Sequence, residues 1–454
     1  MTTKILKWML AATLLTGSIA ADAQTVTPYK VNKKETIFGI ARDNGITVEE
    51  LVKANPGMDS PDFKLKKGMW INIPQPAQTV SPTEQVIAET EPTATVKRSD
   101  VRHRAIRLGV MLPLHKDNND GRRMVEYYRG VLMACDSLKK EGISVDVYAW
   151  NVPENGDLQK TLDDPNAALC DLIIGPLYSK FVPQLSEFVS EHGSRLVIPF
   201  SINAPQLSSN PNIFQIYQAP SPLTETTARR MADWFKDCHP IIVDCGDSTS
   251  TKGAFTSALR KLYEGRGVQY SLTSLKSSDS NFAKAFSKDM SNVVVLNTAR
   301  SQDLNATFGK LSTLIARNPE VQLALFGYTE WLMYLNNYQL QNFYRYNVYI
   351  PSAFFTNLNS DQTEQLTSKY RQNFRQEMMN SLPRFALTGF DHALYFLRGL
   401  HKYGMQFDGA AERFGYQPVQ TPLKFERIGD GGYQNRAYMF IHYKPDNTIE
   451  TVNY

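Results

Sequence analysis

The chain has 454 residues, 42% hydrophobic and 21% charged, with a formal net charge of +4. So small a charge excludes a broad electrostatic footprint for nucleic acid or an anionic membrane surface, and the length suits roughly three domains of about 150 residues. Four cysteines, at 135, 170, 238 and 245, are too sparse for a disulfide scaffold.

Lys4 and Lys7 precede an apolar stretch over residues 8–20, too short to span a bilayer, and Ala21-Asp22-Ala23 is a small-residue cleavage pattern before Gln24. This predicts an exported chain cut after Ala23 and resident in the periplasm. No cysteine lies near the cut to carry a lipid. No later run of about 18 apolar residues predicts a membrane span. Cys238 and Cys245 flank an expected strand over 239–244. Seven extended residues cover about 23 Å, against a Cα spacing of roughly 4.4–6.8 Å in a disulfide, so these two are not expected to pair. Cys135 and Cys170 either pair or stay as buried thiols.

Residues 29–74 read as a strand, two helices and a strand. Tyr29-Lys30-Val31 opens the unit, and Ile37, Ile40 and Ala41 give the first helix its apolar side. Gly45 stops that helix. Thr47 with Glu50 forms a capping-box pattern for the second, with Val48, Leu51 and Val52 inward. Asn55-Pro56-Gly57 ends it, and residues 65–74 make a turn and a strand. Such a βααβ unit sits near the lower size limit for a self-sufficient core. The pieces YKV, ETIFGIA, GITVEELVKAN and LKKGMWINIP, in that order, resemble a LysM domain. The resemblance implies binding to N-acetylglucosamine-containing glycan, hence peptidoglycan. By position, Lys34, Glu35, Thr36 and Ile37 from one loop and Asn55, Pro56, Gly57 and Met58 from another would line the groove. Backbone amides there could read an acetamido group while a flat apolar side chain lies on the sugar face.

Residues 75–104 show neither helical nor strand period and are rich in Pro, Thr, Glu and Gln, the composition of a solvated tether. As a flexible coil it would reach roughly 30 Å. The basic stretch 97–107 reads as a solvated domain edge.

From Ala105 onward strands and helices alternate. Strands are expected over 106–112, 145–150, 172–174, 196–200, 241–243, 292–296, 321–326 and 346–352. Helices are expected over 122–140, 224–235, 253–263, 304–315, 362–379 and 386–403, and one from Ser179 as an N-cap to Gly193 as a stop, with Phe181, Leu185, Phe188 and Val189 at helical spacing. The stripe of the first is Val125, Tyr128, Val131, Leu132 and Leu138. A β-hairpin is expected around 429–432. About 350 residues of βα alternation predict an α/β domain with parallel, doubly wound sheets, of a size that favours two lobes.

LGVMLPL, CDLIIGPLYSKFVPQLSEFVSEHGSRLVIPFSINAPQL, IFQIYQAPS, HPIIVDCGDSTSTKGAF, LTGFDHALYFLRGL and PLKFERIGDGGYQNRAYMFI resemble, in order, the segments of a type 1 periplasmic binding protein of the branched-chain amino-acid receptor class. The resemblance implies two lobes joined by crossovers, with ligand in the cleft. By position, His115, Tyr178, Ser179, Ser201 and Asn203 would face ligand from the first lobe, and Ser250, Gly327, Tyr328 and Glu330 from the second. Ser179 would offer a carboxylate its hydroxyl and the positive end of its helix. The segment YTEW (residues 328–331) would put aromatic rings at the cleft mouth.

The seven histidines include no H-E-x-x-H or other metal-ligand spacing, and no G-x-S-x-G elbow is present. Val243-Asp244-Cys245-Gly246 faintly matches the D-C-S-G of cysteine wall peptidases, but here the cysteine ends a strand. The expectation is therefore a non-enzymatic, wall-associated protein with no cofactor and no metal. Its partners would be peptidoglycan and either a small ligand, such as an amino acid or muropeptide, or a cell-envelope protein. The alternatives are the solute-binding protein of an amino-acid-type ABC transporter and, third, a wall hydrolase.

Overall fold

In the small N-terminal unit, the alternation Trp70-Ile71-Asn72-Ile73 sends the two isoleucines inward, 4% and 6% exposed, and the other two residues to solvent. In the computed structural model the described residues are 26–32, 35–37, 40, 41, 44, 46, 48–58, 63–74, 99–335, 337–358, 360–410 and 415–453. The expected leader, Lys34, the Thr47 cap and residues 75–98 of the expected tether lie outside them. The chain forms two units, divided in the main near residue 90.

Strand β1 (Val26–Lys30) pairs antiparallel with β2 (Trp70–Pro74), Tyr29 opposite Ile71 and Lys30 opposite Trp70. Ile37, Ile40 and Ala41 are buried, as are Val48 and Leu51 of helix α1 (Val48–Lys53). Asn55 closes the helix onto the sheet. Its Nδ2 donates to the carbonyls of Leu51 and Asn72, each at 2.7 Å, and its Oδ1 accepts from Asn72 N at 2.7 Å.

The large unit holds two seven-stranded, mostly parallel sheets. The first contains β3 (Ile106–Leu112), β4 (Val145–Asn151), β5 (Leu172–Ile174), β6 (Arg195–Ile198) and β7 (Ile213–Gln215). The helices between them are α2 (Asn119–Lys140), the short α3 (Gln159–Leu162) and α4 (Pro165–Leu169), and α5 (Val182–His192). All of β5 is 0% exposed, because a parallel sheet is covered on both faces. Gly175 follows it at φ 145°, where a side chain would meet the Met111 carbonyl at 2.3 Å. Ser179 does not cap α5 through its side chain. A single 3-10 turn, Ser179–Phe181, comes first and the helix starts at Val182. Gly193 ends that helix left-handed at φ 63°.

The second sheet contains β8 (His239–Asp244), β9 (Ser271–Ser274), β10 (Asn292–Leu296), β11 (Leu323–Phe326) and β12 (Val348–Ser352). Its helices are α6 (Pro220–Trp234), α7 (Gly253–Gly265), α8 (Asp279–Ala283), α9 (Ser301–Arg317) and α10 (Asn337–Arg345). The chain then returns to the first lobe. Helix α11 (Asp361–Phe374) is shorter than the expected 362–379, and α12 (Phe385–Tyr403) packs along α2. The hairpin β13 (Phe425–Arg427) and β14 (Tyr433–Asn435) extends the first sheet, and β15 (Met439–Tyr443) with β16 (Ile449–Asn453) closes the second.

Three crossovers therefore join the lobes, and side-chain amides tie them down. Gln434 Nε2 donates to the carbonyls of Gln215 and Tyr217 at 3.0 and 3.1 Å, linking the first crossover to the third. Gln420 holds the second: its carbonyl accepts from Phe355 N at 2.9 Å and its Oε1 from Thr356 Oγ1 at 2.6 Å.

One sequence reading is corrected at the domain edge. Residues 99–104 belong to the large unit, not the tether. Val101–His103 is a 3-10 turn capped by Asp100, and the Arg104 guanidinium grips fully buried Asp171 with two bonds of 2.7 Å. A fork-to-fork pair of this kind fixes the start of β3 against β5.

Candidate functional site

In the small unit the residues expected to line a groove take different places. Glu35 turns inward to its own loop. It accepts from Tyr29 Oη at 2.6 Å and Asn32 N at 2.7 Å. Burial acts to raise its carboxyl, but these hydrogen bonds hold it below the usual value. The Thr36 carbonyl accepts from Ile40 N at 3.0 Å, starting the first helix. Ile37 and Met58 are 3% and 1% exposed, so both are core and neither offers a surface to a sugar. Asn55 is committed to joining α1 and β2. Pro56 and Gly57 are exposed, Gly57 at φ 92°. Lys34 lies outside the described residues. Among the described residues of this unit the exposed aromatic is Trp70, on β2, which the groove reading did not include.

In the large unit the first-lobe candidates lie beyond the carboxyl ends of β3, β5 and β6. Their side chains serve mainly their own loops. His115 packs against Gly121, where a side chain would meet the ring at 2.5 Å, and its Nδ1 accepts from Asp117 N at 3.3 Å. Tyr178 Oη donates to Asp120 at 3.5 Å. Ser201 Oγ accepts from Asn203 N at 3.2 Å and donates to the Asn203 carbonyl at 3.3 Å, closing the loop on itself. The Asn203 side chain is exposed.

Two of the second-lobe candidates border a cavity of about 1260 Å³ lined mainly by α6, α7 and the segment after β11. Tyr328 and Glu330 line it; Ser250, Gly327 and the first-lobe candidates do not. Ser250 donates to the Asn297 carbonyl at 2.7 Å and accepts from Lys252 N at 3.0 Å, a turn role. A side chain on Gly327 would meet the Trp331 ring at 2.2 Å. Trp331 is 0% exposed and stands edge-on to Tyr328, so these rings fill the lobe interior and not the mouth. The Tyr328 hydroxyl is spent on the Leu296 carbonyl at 2.5 Å.

The sequence reading missed the residues that shape this cavity. Lys252 sits over the Tyr328 ring at 4.9 Å and donates to Glu330 at 2.6 Å. Leu223, Phe255, Met333, Phe354 and Leu382 give it an apolar wall, with Met333 62% and Leu382 47% exposed. The lysine of STSTKG, directly before α7, was a usable signal for one of them. Nothing local marks Leu382, which comes from the other lobe.

Cys245 is unsuited to nucleophilic work. It is 8% exposed, and burial, then Asp303, pushes its thiol up to about 12; catalytic cysteines are shifted the other way. No disulfide joins Cys135 to Cys170; Cys170 donates to the Asn166 carbonyl at 3.3 Å. Among the described residues, no group of three or more His, Cys, Asp or Glu could hold a metal, and no helix is long and apolar enough to cross a membrane.

Residues 29–74 match the LysM domain family. No curated protein matches the chain. Among solved structures, the chain is similar to a putative branched-chain amino acid ABC transporter from Rhodospirillum rubrum, at 16% identity and a TM-score of 0.51, covering 77% of this chain and 100% of that one. It is also similar to full-length LpoA from Haemophilus influenzae, at 15% identity and a TM-score of 0.47, covering 77% and 59%. A third is the isoleucine-bound branched-chain amino acid transporter substrate binding protein from Streptococcus pneumoniae, at 14% and 0.38, covering 77% and 100%. The chain thus carries a LysM domain followed by a two-lobed domain with the type 1 periplasmic binding protein fold.

Proposed function

We propose that this is a non-enzymatic, exported, wall-associated protein. Its LysM domain binds peptidoglycan, and its two-lobed domain docks a cell-envelope protein partner or senses a ligand larger than one amino acid, such as a muropeptide. The observation that carries the reading is the cavity. Its volume of about 1260 Å³ exceeds the roughly 300–1,000 Å³ of ordinary small-molecule sites. Lys252 is turned on Glu330 and Tyr328 on a carbonyl, while Glu225, Arg229 and Lys261 line the cavity's exposed side. An open wall with exposed Met333 and Leu382 suits an occupant larger than a single amino acid and partly apolar. A wall anchor also works against the diffusion that a transport receptor needs.

Retention on insoluble peptidoglycan, with and without residues 24–76, tests the anchor. The intact protein should be retained and the truncated one released; equal retention of both would sink it. A thermal-shift screen with amino acids and muropeptides tests the cleft. Saturation at 100 times the dissociation constant adds about 2.7 kcal/mol. A shift with one free amino acid would move the reading to the solute-binding protein of an amino-acid-type transporter, the second reading, which the shared fold with the Rhodospirillum protein supports. Release of wall fragments by the purified protein would restore the hydrolase reading.

A further inference from the structure

The outward face of the β1–β2 ladder is built like a surface meant to be covered. Trp70 is 65% exposed although Ile71 and Ile73 already fill the inward face. Lys30, directly opposite in the ladder, places its ammonium over the indole, 5.7 Å from the ring centre. Pro28 and Val26, at alternate positions of the same strand, extend the apolar surface, Val26 being 43% exposed. The turn before β2 folds back beside Lys30, with Gly68 N donating to the Val31 carbonyl at 2.7 Å and Met69 N to the Lys66 carbonyl at 3.1 Å. It leaves Lys66 and Lys67 exposed.

The exposed indole stands in a row with exposed Pro28 and Val26 on one face of the ladder. Its flat apolar face suits the C–H face of a pyranose, and its N–H can donate to a hydroxyl. Among the described residues of the loops first expected to bind glycan, Ile37 and Met58 are in the core. The ladder face is continuous with those loops through Asn72, cross-strand from Pro28 and bonded on both backbone groups to Asn55. Lys30 over the ring, with exposed Lys66 and Lys67 in the turn that leads into β2, favours an anionic ligand.

We propose that Trp70, with Lys30, Lys66 and Lys67, forms a second saccharide contact on the LysM domain, one that stacks an amino-sugar ring and pairs with carboxylates carried by the glycan. Resting on the peptidoglycan-binding reading, the site makes the module prefer carboxylate-bearing wall glycan over neutral glycan. The occupant is the glycan strand of peptidoglycan with its acidic peptide substituents.

The test uses the full exported chain on insoluble peptidoglycan and on chitin, a neutral N-acetylglucosamine polymer. Trp70→Ala should weaken retention on both by about tenfold, and Trp70→Phe should keep most of it. Replacing Lys30, Lys66 and Lys67 with Gln should weaken retention on peptidoglycan alone, and high salt should mimic that loss. All variants alter exposed side chains and should melt with the wild type. Wild-type binding with full retention by Trp70→Ala overturns this site while leaving the anchor reading intact. Equal loss on both polymers by the lysine variant overturns the carboxylate preference. Failure of the wild type on peptidoglycan removes the anchor reading and this site together.

Discussion

At the residue scale, the large domain is held by buried polar groups whose partners are far away in sequence. His392 is 0% exposed, with Nδ1 2.9 Å from Tyr127 Oη. Burial pushes its imidazole down to about 3, so the folded chain keeps the ring neutral. The unfolded chain takes up that proton below about pH 6.5. Its contribution is therefore complete above pH 6.5 and is lost as pH falls toward 3, by up to about 1.4 kcal/mol per unit. Neighbouring Asp391, raised to about 7 by burial against three backbone N–H donors, acts with the opposite sign and cancels between proteins that share it. In urea unfolding, wild type should lose about 2–3 kcal/mol more than His392→Gln between pH 6.5 and 4.5. Parallel pH profiles would refute a neutral buried ring. Neither Asp391 nor His392 stands out in sequence, because both lie on a helix whose 14 buried positions run around its whole circumference.

At the element scale, helices α2 and α12 cross in close contact because each offers a glycine to the other. A side chain on Gly130 would lie 1.8 Å from the Ala386 carbonyl oxygen, and one on Gly389 would lie 2.0 Å from that of Tyr127. Gly389→Ala should cost roughly 1–3 kcal/mol by forcing the helices apart. The same change at Gly309, exposed in α9 with nothing within 4 Å, should stabilise by up to about 1 kcal/mol. Chemical unfolding of the pair checks both signs; similar effects would mean the helices do not touch through glycine. The stripe read from sequence for α2 holds at Val131, Leu132 and Leu138, but Val125 and Tyr128 are half-buried and Met124 and Tyr127 are the deeper positions, since α12 covers a flank that an amphipathic pattern would leave to water.

At the scale of the whole molecule, three crossovers join the lobes, and the cavity is lined mainly by the second lobe. Gln434 and Gln420 tie the crossovers by short hydrogen bonds, and Lys252 and Glu330 occupy one another at the cavity edge. A mixture of free amino acids at saturation should therefore leave the radius of gyration in small-angle scattering unchanged. A contraction would show lobes closing on a small solute and would favour the transport reading.

The sequence by itself determined the order of elements, the LysM unit, the two-sheet α/β architecture and the carboxyl-edge placement of the first-lobe loops. Buried strands such as Leu172–Ile174 and stops such as Gly193 are written in local patterns of polarity and turn chemistry. Only the tertiary structure decided that Ile37, Met58 and Trp331 are core, that Trp70 is exposed, and that Lys252, Glu330 and Leu382 meet at one cavity. Periodicity reports that a residue faces something; whether it faces core, partner or solvent depends on chain segments up to hundreds of residues away.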